Sequence, residues 1–79
     1  MKAENLANNQ IIISDLTRRT FISYGTTIAK IVMGKIYLDE RYWNYSKTTE
    51  KYRIQFLGET TKETRSKIDS GEYVLTNLN

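Results

Sequence analysis

The chain has 79 residues, 39% of them apolar and 27% charged, with twelve cations, nine acids and a net charge of +3. That length encloses one apolar core and excludes a multidomain arrangement. Cysteine and histidine are both absent, which removes disulfides, thiolate nucleophiles, the commonest general base and most transition-metal ligand sets, so no cofactor or metal is expected.

The first nine residues, MKAENLANN, are polar and predict a flexible N-terminal segment, with residues 10–79 forming a single domain. From Gln10 the chain reads as short extended segments at Ile11–Ile13, Arg19–Tyr24, Thr27–Met33 and Lys35–Asp39, all rich in β-branched and aromatic residues. The period of two places Thr27, Ala29, Ile31 and Met33 on one face and Ile28, Lys30 and Val32 on the other. Met33-Gly34 reads as a hairpin turn, since glycine accepts a positive φ without a Cβ clash. Gly25 fits either a second turn or a bulge in one long strand. Arg19 to Asp39 is then an antiparallel meander.

After Asp39 the period changes. Ser46, Thr48 and Thr49 offer oxygens to the free amides of a helix start, and Tyr52 and Phe56 fall four residues apart on one face of the helix that follows. Gly58 sits where that helix would end in a left-handed cap. Thr60 and Glu63 have the spacing of a capping box, and they predict a second helix over about Thr61 to Ser70 with Ile68 and the Thr64 methyl as its buried face. Gly71 stops it, and Glu72 to Leu78 alternates like a closing strand, which either joins the meander or remains a short arm. The expected architecture is α+β, in the order β-β-β-α-α-β, with both helices on one face of a small antiparallel sheet.

Residues Arg41 to Arg53 carry four cations against Glu50 alone, together with Trp43, Tyr42, Tyr45 and Tyr52. Their sum is +3, so the rest of the chain is balanced, with eight cations and eight acids. Tyrosine and arginine are over-represented at energetically important contacts. Arg41, Tyr42, Tyr45, Lys47, Lys51 and Arg53 are therefore the candidate partner-binding residues. Trp43, between sheet and helix, fits the role of a core anchor better than that of a stacking platform.

Catalysis has little to draw on. Asp39 and Glu40 are adjacent and point to opposite sides of a strand, and capping accounts for Glu63. The four glycines are dispersed, with no phosphate-cradling loop among them. An alternative is nucleic-acid binding, either through rings and cations on a single strand or through a helix-turn-helix. In the second case KETRSKIDSGEYVL resembles the end of small excisionase-type domains, and Lys62, Arg65, Ser66 and Lys67 would face DNA. Against this, Glu63 and Asp69 lie on the same helix, and +3 is a small charge for a stand-alone DNA binder.

Tyr45, Ser46, Thr48, Thr49 and Lys51, followed by Phe56, Leu57 and Gly58, spell the pattern YS-x-TT-x-K and then FLG. With TKE, IDSGEY and the terminal NLN, this resembles a group of small uncharacterised bacteriophage proteins over residues 22–79. The resemblance implies a phage accessory protein and brings no activity or site residue with it. The expected function is non-enzymatic binding of a host protein or protein complex, as an inhibitor of host defence or a host-takeover factor. No apolar run approaches the ~18 residues of a membrane helix, and the N-terminus lacks a signal-peptide stretch, so a cytoplasmic protein without a membrane partner is expected. An exposed sheet edge would offer a surface for a homodimer.

Overall fold

The computed structural model describes all of residues 1–79. Six strands, β1 (Lys2–Ala7), β2 (Gln10–Ser14), β3 (Arg18–Ser23), β4 (Thr26–Val32), β5 (Lys35–Asp39) and β6 (Val74–Thr76), form one sheet in chain order. Two helices, α1 (Lys47–Leu57) and α2 (Thr61–Asp69), lie between β5 and β6 in the chain. The fold is α+β, with a meander, two helices and a closing strand. The first five strands pair antiparallel, and β6 pairs with β5 in parallel. Parallel pairing follows from the connection, because two helices are long enough to return the chain to the same end of the sheet before it enters β6.

The N-terminal residues expected to be flexible instead form β1, with Ala3 opposite Ile13 and Asn5 opposite Ile11. Their side chains are mostly exposed, so β1 is held by its backbone ladder rather than by burial. A polar edge of this kind is poorly suited to pairing with another chain, and the opposite edge, β6, is only three residues long.

Tyr24-Gly25 and Met33-Gly34 both have positive φ at successive residues, as two-residue hairpin turns of the primed type require. Gly25 is thus a turn residue. The bulge lies further on, where Phe21 opposes Ala29 but Ile22 opposes Thr27, leaving Ile28 as the extra residue. As a result Ile28 and Ala29 are both buried, where strict alternation would have put them on opposite faces.

Ile12, Phe21, Ile28, Ala29, Leu38, Phe56 and Tyr73 make up the core. Phe56 of α1 stacks on Phe21 at 5.8 Å, and Ile68 of α2 packs against the same cluster. Ser46 caps α1 by accepting from the Thr49 amide at 3.1 Å, and Gly58 ends it with φ 74°. Thr60 and Glu63 form the complete capping box of α2. A buried hydroxyl pair, Ser23 and Thr49 at 2.9 Å, joins β3 to α1.

Gln10 lies opposite Ser23, fully buried, and neither polar atom of its side chain has a hydrogen-bond partner. An unpaired buried amide is destabilising. Gln10→Met, which keeps the length and removes the polar atoms, is expected to raise stability by about 1–2 kcal/mol, read as a higher urea midpoint with an unchanged slope.

Candidate functional site

The junction between β5 and α1 is built on Asp39. Its carboxylate is buried and accepts hydrogen bonds from the Arg41 amide (3.1 Å), the Tyr42 amide (3.0 Å), the Leu78 amide (2.8 Å) and the Asn79 side chain (3.1 Å). Burial alone would raise its pKa, but the four donors hold it below the ordinary carboxylate value. The Trp43 amide donates to the Asp39 carbonyl at 3.0 Å, closing the turn. One residue thereby fixes the start of the junction and ties the C-terminal residues to it.

Tyr42 is half-buried against the core and meets Tyr45 edge-on, with ring centres 5.4 Å apart. Tyr45 is 48% exposed. Arg41, Lys47 and Lys51 are exposed, and the Lys51 ammonium lies 5.3 Å from the ring centre of its neighbour Tyr52. Arg41, Tyr45, Lys47 and Lys51 therefore reach the surface, while Tyr42 does so only in part.

Arg53 does not, at 0% exposure. Its Nη1 donates to the Trp43 carbonyl at 2.6 Å and lies 3.4 Å from Asn44 Oδ1, while Nη2 donates to Thr61 Oγ1 at 2.5 Å. Glu50 is 4.0 Å away and accepts from the Thr61 hydroxyl. Burial draws the guanidinium pKa below its usual value, with Glu50 opposing the shift. The side chain links the junction to the start of α2, where a carbonyl and two side-chain oxygens suit a planar, forked donor. It holds the site together and is not available to a partner.

Trp43 carries Arg53 at 5.0 Å from its ring centre and Arg65, from α2, at 5.1 Å. This brings together two regions that the sequence separates. The junction and α2, with its exposed residues Lys62, Arg65 and Ser66, meet at one half-buried ring. Trp43 itself packs against the core, as a tryptophan at that position should.

Lys67 has a different neighbour. Its ammonium is 3.1 Å from Glu59, whose carboxylate also accepts from Thr64 (2.9 Å) and from the Tyr73 hydroxyl. Burial would raise the Glu59 pKa, but these donors hold it low. Burial and the bond to Glu59 push Tyr73 up to about 12. Lys67 is therefore engaged within the fold and is not a free cation of the α2 surface. The three surface depressions are open to solvent, and none is lined by Trp43.

Arg53→Ala is expected to cost about 2–4 kcal/mol, since it strips charged hydrogen bonds from buried oxygens and leaves a void. Arg53→Lys should recover little of that loss in thermal or urea unfolding, because a single ammonium cannot reach both the Trp43 carbonyl and Thr61. For Tyr73 the folded pKa lies above the unfolded value of roughly 10, so its contribution is present below pH 10 and lost as pH rises through the folded value of about 12. Phenolate absorbance in the wild type minus that in Tyr73→Phe should stay flat until the pH nears about 12.

No curated protein and no solved structure matches the chain. Over residues 1–72 it matches DUF8033, a family of unknown function, and the chain belongs to that family.

Proposed function

We propose that the protein is a non-catalytic binding module that docks the face around Trp43 onto an acidic surface of a host protein. The observation that carries this reading is the joining of the β5–α1 junction to α2 through Arg53 and Arg65 at Trp43, since these two segments carry Arg41, Lys47, Lys51, Lys62 and Arg65, all exposed and without an ion-pair partner, together with the exposed Tyr45. Of the carboxylates near these cations, Glu50 and Glu63 are bonded to threonine groups of the fold, and Glu40, beside Arg41, is exposed. Exposed cations and a tyrosine, set on a braced junction, suit contact with carboxylates at low ordering cost.

A nucleic-acid partner is the weaker reading. Two guanidinium groups already lie over the Trp43 ring, where a base would have to stack, and Lys67 is held by Glu59. The phage resemblance of the YS-x-TT-x-K and FLG pattern supports a role as an inhibitor of a host defence complex or a host-takeover factor, acting in the host cytoplasm.

The test is affinity capture from a bacterial host lysate with the wild type and with Arg41→Glu/Lys47→Glu/Lys51→Glu. Recovery of the partner should fall at least about tenfold, equivalent to ~1.4 kcal/mol, with the unfolding temperature unchanged. Equal recovery would remove this face as the site. Titration with labelled single- and double-stranded DNA at ~50 mM salt should show no binding, and salt-sensitive binding would move the assignment to nucleic acid.

A further inference from the structure

The opposite end of β5 from the Trp43 junction has its own surface character. Leu16 lies in the β2–β3 turn and Met33 opens the β4–β5 turn, and both are exposed. The Met33 amide donates to the Thr17 carbonyl at 2.9 Å, which locks the two turns side by side. Met1, beside Leu16, is exposed as well. Of the six large apolar residues exposed on the molecule, Met1, Leu16, Tyr24, Met33, Tyr45 and Leu75, three gather at this end.

The charges around them are unequal. Lys2, Arg18, Arg19 and Lys35 stand near these turns against two carboxylates, Asp15 and Glu72, while Lys67 on the same side is held by Glu59. Asp15 is already engaged. It accepts from the Thr17 and Arg18 amides at 3.0 Å each and lies 3.5 Å from the Arg18 guanidinium. Arg19 leans over the Phe56 ring at 5.2 Å, toward the helices. Lys2 and Lys35 are therefore the outward cations without an ion-pair partner, and Arg18, also exposed, is paired with Asp15.

Leu16 and Met33 are 103% and 82% exposed at adjacent turns, so both side chains project from the fold, whereas anchors on a protein partner fill pockets. Projecting apolar side chains flanked by cations match the make-up of an anionic lipid interface, where acyl chains lie beneath phosphates. We propose that this end of the sheet docks peripherally on an anionic phospholipid surface, with Leu16 and Met33 entering the acyl boundary and Lys2 and Lys35 meeting lipid phosphates. No helix of the structure is long and apolar enough to cross a membrane, and peripheral docking needs none. The expectation of no membrane partner rested on the lack of a spanning run, which does not bear on contact through turns.

The experiment is co-sedimentation of the full chain with vesicles containing roughly one third phosphatidylglycerol in phosphatidylcholine, against phosphatidylcholine alone. The protein should sediment with the anionic vesicles and remain in the supernatant with the neutral ones. Leu16→Asp/Met33→Asp, at two exposed turn positions, should lower the bound fraction at least about tenfold at fixed lipid. Aspartate tolerates the positive φ at position 33, so the fold is retained. A Leu16→Trp variant gives a second readout, with emission shifting to the blue on anionic vesicles only. Three results would overturn the proposal: no sedimentation on anionic vesicles, equal sedimentation of the double variant, or an unshifted Leu16→Trp spectrum. Capture of a soluble protein by this end in place of lipid would overturn it too.

Discussion

A buried guanidinium holds the Trp43 end of this molecule together. Arg53 reaches from α1 to both the β5–α1 junction and α2, and its two terminal nitrogens bond to Trp43 on one side and Thr61 on the other. Its plane also lies near the Trp43 ring, so one side chain sets the position of the tryptophan and the approach of α2. Burying a cation is costly unless its donors are met. Here a carbonyl, two side-chain oxygens, a π face and the partly exposed Glu50 share that task, and only Nε is left without a partner. This contact fixes the spacing between the exposed cations of the junction and those of α2.

The same strategy recurs with the opposite sign. Asp39 collects donors from the junction and from Leu78 and Asn79, and Glu59 collects Thr64, Lys67 and Tyr73. Each carboxylate joins segments that are separated in the chain. A domain of this size has a core of seven buried apolar residues and no disulfide. Small domains commonly need some further constraint, and these three charged centres supply it by tying the helices and the C-terminal residues to the rest of the fold.

Features that depend on near neighbours are legible in the sequence. The Met33-Gly34 turn, the Ser46 cap, the Gly58 helix end and the Thr60–Glu63 capping box follow from residue types at fixed spacing, and all are present. Strand β1 is hidden because its side chains contribute little, and its order comes from a backbone ladder with an isoleucine-rich partner. The parallel pairing of β6 depends on where two helices deliver the chain, which no local pattern encodes. The candidate site is legible as a region but not in its internal roles. Counting charges treats Arg53 and Lys67 like Arg41 and Lys62, although one pair is bound within the fold and the other faces water. Asp39 does carry a local signal, since an aspartate at the end of a strand and just before a turn is well placed to accept from the amides that follow.

The balance of charge changes once partners are assigned. Among nine carboxylates, Asp15, Asp39, Glu50, Glu59 and Glu63 accept hydrogen bonds from the protein itself. Among twelve cations, only Arg18, Arg53 and Lys67 lie in ion pairs. The acids are thus used largely as internal acceptors that organise turns, caps and buried ties, while most cations remain free to make contacts. A net charge of +3 understates what an approaching surface would meet, because close contact is governed by the groups that can still form hydrogen bonds rather than by the sum over the chain. The asymmetry applies at both ends of β5, where the Trp43 face and the Leu16–Met33 tip each offer cations beside exposed aromatic or aliphatic side chains. The two surfaces differ in form: one is braced by an internal arginine, the other is a pair of turns with projecting aliphatic side chains.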